Sequence, residues 1–130
     1  WSARDDASVL ELHAGLEAAL PAAHLDFLRG LQVSHRAGDY FFVHGGVRPG
    51  VPLEAQSARD CMWIRKTFLD SELDHGAVVV HGHSISPAPE LRHNRIGIDT
   101  GAYRSGVLTC LLLEGGHREI LQTGTAEASE

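Results

Sequence analysis

The sequence predicts an α/β fold in which helices flank a mixed β-sheet. Three observations lead to this prediction. Apolar side chains recur at helical spacing through the first 30 residues. Two later apolar runs, at residues 40–43 and 77–80, are rich in aromatic and β-branched side chains, and each leads into a His-Gly pair. The last third of the chain, from Arg95 onward, alternates short strand-like runs with glycine turns.

The helices are predicted from apolar periodicity and from capping residues. Residues 5–19 form one predicted helix, and Pro21 is well placed in the first turn of a second. A third helix is predicted over residues 60–70. Asp60 is expected to cap it, and Trp63 is expected to lie in the core.

The strands are predicted from alternation and composition, over residues 31–35, 40–43, 77–80, 95–99, 107–113 and 117–122. Residues 77–80 are apolar throughout, which is typical of a strand buried on both faces. An irregular loop is predicted from Pro87 to about Arg92. Because no repeat or linker divides the chain, residues 1–130 are predicted to form a single domain, with a frayed tail at 124–130.

Charge and composition exclude some classes of partner. The formal net charge is −6 and Lys66 is the one lysine, so binding to a nucleic acid is not expected. The sequence has no apolar run long enough to cross a membrane, and no membrane association is expected. Cys61 and Cys110 are isolated from each other, and we interpret them as buried, reduced thiols of a cytoplasmic protein.

Two histidines follow predicted strands and are the strongest candidates for chemistry. His44 and His83 each stand beside glycine at a strand end, about 40 positions apart. One such histidine alone is more typical of a hydrogen-bonded residue, but two on neighbouring strands favour a shared metal site. The adjacent glycines are expected to leave room for a phosphate or a second ligand. Asp99 is a more distant candidate donor, although bonding to the backbone of its own turn is the role expected of it.

Arg65 is the candidate phosphate-binding residue. Its guanidinium suits bidentate contact with phosphate, although the local sequence alone favours a solvated arginine on a helix.

Four segments resemble motifs of the phosphoprotein phosphatase family, within the calcineurin-like metallophosphoesterases. They are FFVHGGVRPG at 41–50, which is similar to HGGxxP; MWIR at 62–65, similar to WxR; VVHGHS at 79–84, similar to GHT; and IDTGA with SGVL at 98–108, similar to IDTGA followed by GxL. They occur in the family's order and cover roughly residues 35–123. Each is modest alone, and together they indicate the family, especially its bacterial members.

The resemblance implies a fold and residue roles. The fold would be the second half of an α/β/β/α metallophosphoesterase sandwich. His44 and His83 would bind the second metal of a pair of divalent ions, Mn, Fe or Zn. Arg65 would be the catalytic and substrate-binding clamp on phosphate, and Tyr103 would lie beside the substrate. Ile85, where the wider superfamily has a histidine, favours the protein-phosphatase branch.

The implied activity is hydrolysis of a phosphoprotein or small phosphoester by a metal-activated water. The family's earlier motifs, GDxHG, GDxxDRG and GNHE, are expected before Trp1, so we interpret the chain as a piece of a longer protein that is not competent alone. Two alternatives stay open, a symmetrical dinucleoside tetraphosphatase and a non-catalytic interaction module. Half a sandwich exposes an apolar sheet face, which predicts a homodimer, packing on further residues, or cover by the amino-terminal helices.

Overall fold

The computed structural model describes residues 6–124. The contacts between its residues group the described chain into two compact units, and the boundary lies between Gln32 and Val33. The amino-terminal unit has two helices, α1 (Asp6–Ala19) and α2 (Ala22–Arg29). Pro21 was predicted to lie in the first turn of α2. It is instead the residue directly before the first helical residue. The single-domain organisation over 1–130 stays a prediction, and the tail at 125–130 lies outside the described residues.

The second unit is built on a five-stranded sheet. Its strands are β1 (Ser34–Ala37), β2 (Tyr40–Val43), β3 (Val78–His81), β4 (Glu90–Leu91) and β5 (Arg95–Gly97). Their order across the sheet is β1-β2-β3-β5-β4. The three inner strands are parallel, whereas β1 and β4 pair antiparallel at the two edges. The carboxyl ends of β2, β3 and β5 therefore meet at one edge of the sheet, where ligands bind in open α/β sheets.

A separate hairpin follows the sheet. It consists of β6 (Thr109–Glu114) and β7 (His117–Gln122), which pair antiparallel across a glycine turn. The predicted α/β class with a mixed sheet is confirmed, as are both strands of this hairpin. The prediction of an irregular loop between Pro87 and Arg92 is wrong in one detail, because β4 pairs there with β5.

The helix predicted over residues 60–70 is two helices. They are α3 (Ala58–Trp63) and α4 (Lys66–Leu69). In a continuous helix the carbonyl of Cys61 would accept the amide of residue 65. That carbonyl instead accepts the amide of Gly45 at 2.6 Å, and Ile64 is extended.

The cap and one aromatic position also differ from prediction. Ser57, and not Asp60, caps α3, since its hydroxyl accepts the Asp60 amide at 3.0 Å. Trp63 is 65% exposed and not in the core. Ser57 lies one residue before the first helical position, where a side-chain oxygen reaches the third amide of the helix. A shorter 3₁₀ turn at Leu53–Ala55 precedes α3.

The core of the second unit centres on Phe68, whose side chain is fully buried. The other members are Phe41, Val47, Leu53, Ile64 and Val79. Cys61 is buried as predicted, but the prediction of burial is wrong for Cys110, which lies on the exposed side of β6. None of the helices within residues 6–124 combines the length and apolar character that crossing a bilayer requires.

Candidate metal centre

The imidazoles of His44 and His83 meet at one edge of the sheet. His44 directly follows β2, and His83 comes two residues after β3, which pairs in parallel with β2. His44 Nε2 lies 3.1 Å from His83 Nδ1, and the ring centroids are 4.8 Å apart. The convergence that the sequence predicts is therefore present in the structure.

The spacing of the two nitrogens suits ligation of one ion. Two histidine nitrogens at about 2.0–2.1 Å from a tetrahedral ion lie roughly 3.3–3.4 Å apart. The observed separation is 3.1 Å, so the rings need to part by only a few tenths of an ångström. At present one ring donates a hydrogen bond to the other, and an ion would replace the proton between them. The far nitrogen, His83 Nε2, is buried without a hydrogen-bond partner among residues 6–124.

The surroundings of His83 favour its neutral form. Partial burial lowers the pKa of His83, and the charge of Arg65 and the His44 ring lower it further. The carboxylate of Asp99 opposes this shift. Because only a neutral imidazole offers a lone pair to a metal, the lowered pKa keeps His83 available as a ligand at neutral pH.

Arg65 lies at the break between α3 and α4. Its backbone has φ −132° and ψ −104°, outside helical values, so the predicted position within a helix is wrong. The side chain is exposed and has no hydrogen bond or ion pair to any residue in the described part of the chain. Its charge acts on His83. The structure thus places the exposed guanidinium of Arg65 within electrostatic reach of His83.

Trp63 completes this side of the candidate site. Its indole stands edge to face with the His83 ring, with centroids 5.7 Å apart and planes at 87°. Sequence reasoning placed this residue in the core because a helical tryptophan between apolar neighbours usually packs inward. The helix break after Trp63 leaves its ring at the surface, beside a candidate ligand.

The glycines after His44 serve packing. A Cβ on Gly45 would lie 2.9 Å from the backbone of Met62, at the end of α3. A Cβ on Gly46 would lie 2.3 Å from the ring of Phe68, and Gly46 has φ 149°. Both substituents would meet the protein's own helices, so the structure gives a different reason for these glycines from the ligand access that the sequence suggested.

The remaining predicted residues differ in how close they come. Asp99 Oδ1 accepts the amide of Gly101 at 3.0 Å, which is the turn role expected of it. Tyr103 is 80% exposed on α5 (Ala102–Ser105) and has no hydrogen bond or ring contact to the histidine pair. Within residues 6–124, no group of three or more His, Cys, Asp or Glu side chains is arranged to hold a metal.

A largely apolar cavity of about 360 Å³ adjoins His44. Its polar lining residues are His44, His81, Asp99, Thr100 and Thr109. Its apolar lining includes Phe42 and Val43 of β2, Val80 of β3, Ile98 directly after β5 and Leu108 directly before β6. Of the two candidate ligands, His44 therefore borders a largely apolar surface.

A buried polar group beneath the site was missed by sequence reasoning. His81, Arg95 and Glu90 come from β3, β5 and β4, and the first two are each 2% exposed. Arg95 donates to Glu90 Oε2 at 2.7 Å and to His81 Nε2 at 3.3 Å. Burial is the main cause that lowers the pKa of His81. The available signal was Arg95, a charged residue at the start of a predicted strand. Its partner Glu90 lay in a segment that was predicted to be a loop.

No protein-family model matches the sequence, and a search of curated proteins likewise finds no match.

Proposed function

We propose that this chain supplies part of the site of a two-metal phosphoesterase of the Ser/Thr protein phosphatase type. In this proposal His44 and His83 bind one divalent ion, Mn, Fe or Zn, of a pair. The observation that carries it is the 3.1 Å approach of His44 Nε2 to His83 Nδ1 at the edge where parallel strands end. The proposed reaction, phosphoester hydrolysis, is inferred from the resemblance of the motifs. The distance between the two histidine nitrogens supports a shared metal ion.

The residues of this chain would hold the ion and the phosphate. A bound pair of divalent ions supplies Lewis acidity and an activated water for attack on phosphorus. Arg65 would donate guanidinium hydrogens to the phosphoryl oxygens and neutralise their charge as the ester bond breaks. Two features support this role: the side chain of Arg65 is exposed and has no partner among residues 6–124, and its charge lowers the pKa of His83. The substrate would be a phosphoprotein or a small phosphoester.

Further donors would have to come from protein outside the described residues. Two histidines fall short of the four or more ligands that a metal site normally has. Two observations support another layer of protein at this face, as in the proposed sandwich: His83 Nε2 is buried without a partner among residues 6–124, and an apolar cavity lies beside His44. Alone, the chain would bind metal weakly and lack phosphatase activity. The cytoplasmic location expected from the isolated cysteines also stays part of the proposal.

The proposed metal role is tested by titrating the chain with MnCl₂ and ZnCl₂ in a calorimeter. We expect one weak site in the wild type and its loss in both His44→Ala and His83→Ala. His24→Ala is the control, since His24 is an exposed histidine on α2. Equal metal affinity in all four proteins would refute the assignment of the ligands.

The phosphate role of Arg65 is tested separately. In the presence of saturating Mn²⁺, Arg65→Ala should keep the metal but bind inorganic phosphate more weakly than the wild type does. Arg59→Ala, an exposed arginine of α3, is the matched control and should bind phosphate as the wild type does. Unchanged phosphate affinity in Arg65→Ala would remove Arg65 from the proposed site.

The second candidate, a dinucleoside tetraphosphatase, gains support from one observation. The exposed indole of Trp63 lies beside His83 and offers a face on which a nucleobase can stack. A dinucleoside tetraphosphate that binds more tightly than a phosphopeptide, and loses this advantage in Trp63→Ala, would favour this candidate over the protein phosphatase.

A further inference from the structure

The backbone of Gly82 links the segments of the two candidate ligands. Its amide donates to the carbonyl of His44 at 2.9 Å. Its carbonyl accepts the amide of Ser84 at 2.7 Å, which closes a three-residue turn around His83. His83 has φ 64°, and it is the only non-glycine residue with positive φ among the described ones. The direction of the His83 ring thus depends on a backbone conformation that L-residues rarely adopt.

A second donor reaches the same carbonyl. His81 Nδ1 lies 3.1 Å from the Gly82 oxygen. The other ring nitrogen, His81 Nε2, lies 3.3 Å from a guanidinium nitrogen of Arg95. A guanidinium can only donate, so Nε2 must be the acceptor. Nδ1 therefore carries the proton, and it donates that proton to the carbonyl of Gly82.

The His81 ring is itself held in place. Arg95 is fixed by its 2.7 Å bond to Glu90, so the donor to Nε2 has a defined position. The ring of Phe68 stands edge to face with His81 at 5.0 Å between centroids. A Cβ on Gly97 of β5 would lie 3.2 Å from His81 Nε2, so the ring packs closely against this strand. Contacts from three strands and a helix thus determine one tautomer and one orientation of His81.

We propose that His81 is a positioning residue for the histidine pair. Oriented by Arg95 and Glu90, it donates from Nδ1 to the Gly82 carbonyl and stabilises the turn that directs His83 Nδ1 towards His44 Nε2. Its effect on metal affinity rests on the proposed function, whereas its effect on the distance between the two rings does not. Side chains that orient a ligand in this way typically change metal affinity about 10–100-fold when they are replaced.

Two amide substitutions separate this role from a packing role. The amide of His81→Asn can occupy the position of Nδ1 and keep a donor to Gly82. The longer His81→Gln places its amide near the position of Nε2 and loses that donor. We expect nuclear Overhauser contacts between the rings of His44 and His83 in the wild type and His81→Asn, and their loss in His81→Gln. With ZnCl₂ as the probe, His81→Gln should bind about 10–100-fold more weakly than the wild type, and His81→Asn should retain most of the affinity.

A control accounts for general loss of stability. Leu53→Ala removes a buried core side chain that lies in the 3₁₀ turn and not on the strands that lead to the histidines. It should lower the melting temperature but preserve the ring contacts and Zn²⁺ affinity. If His81→Gln does not fold, Arg95→Met is tested in its place. This substitution removes the donor to His81 Nε2, so that the proton of the ring is no longer confined to Nδ1. Loss of the ring contacts in Arg95→Met would then support the proposal.

Ring contacts that persist in His81→Gln, or in Arg95→Met if it is used instead, would overturn the proposal. So would equal losses in His81→Asn and His81→Gln. If the wild type binds no Zn²⁺, the proposed metal function fails, but the comparison of ring contacts still decides whether His81 positions the pair.

Discussion

The two glycines after His44 offer a direct test of why the His-Gly-Gly segment has this sequence. If glycine is there to admit a ligand, an added methyl group should leave folding unchanged. In the structure, a Cβ on Gly46 would lie 2.3 Å from the fully buried ring of Phe68. Gly46 also has φ 149°, a conformation available almost only to glycine. The structure therefore predicts that Gly46→Ala destabilises folding.

The size of the effect follows from two contributions. Overpacking a filled core costs about 1–3 kcal/mol. Forcing an L-residue into a disfavoured backbone conformation costs about 1–3 kcal/mol more. The matched control is Gly50→Ala, because Gly50 also has positive φ, 77°, but nothing lies within 4 Å of its added Cβ. Gly50→Ala should show the backbone cost alone, about 1–2 kcal/mol.

The assay is urea unfolding followed by circular dichroism, with thermal melting alongside. Gly46→Ala should be less stable than Gly50→Ala by about 1–3 kcal/mol. In a unit of this size, each kcal/mol lowers the melting temperature by about 4–8 °C. Equal stability of the two variants would refute the packing explanation. It would favour the alternative, in which glycine is needed to leave room for a ligand.

Three further predictions concern pH, thiols and a helix cap. Burial lowers the pKa of His75 and His81 from 6.5, so the unfolded state binds more protons than the folded state in acid. The stability that depends on these histidines should therefore be complete above about pH 6.5 and should decline as the pH falls towards their folded-state pKa values. Urea unfolding midpoints at pH 5 and pH 7.5 measure this difference. An aromatic disulfide reagent should label Cys110 in the folded protein and Cys61 only after unfolding, because burial both shields the Cys61 thiol and raises its pKa. Labelling of two thiols at equal rates under native conditions would contradict the burial of Cys61. Ser57→Ala should cost about 1 kcal/mol in urea unfolding while Ser57→Thr retains most of the cap, and equal stability of the two would argue against this cap.

The sequence was sufficient to predict the elements whose local pattern is strong. Residues 40–43 and 77–80 contain β-branched and aromatic side chains and lead into His-Gly pairs, and strands formed there. The hairpin after residue 107 is set by alternation and a Gly-Gly turn. The helix over 60–70 was mispredicted because its end depends on the amide of Gly45, which is distant in sequence and takes the carbonyl of Cys61.

Long-range contacts also decided which residues are exposed. Trp63 and Cys110 have apolar neighbours in sequence, yet both are exposed, since burial depends on which face of an element meets the sheet. β4 is two residues long and exists through its pairing with β5. A strand that short has too few positions for a periodic pattern to indicate it.

The sequence by itself determined the α/β class and the candidate ligands His44 and His83, because strand composition and the glycine after each strand are local properties. The tertiary structure alone decided that His44 Nε2 and His83 Nδ1 lie 3.1 Å apart, since the parallel pairing of β2 with β3 brings the two strand ends together. It alone also joined His81 to Arg95 and Glu90, on three strands. Contacts between residues far apart in the chain depend on strand order and register, which local composition does not specify.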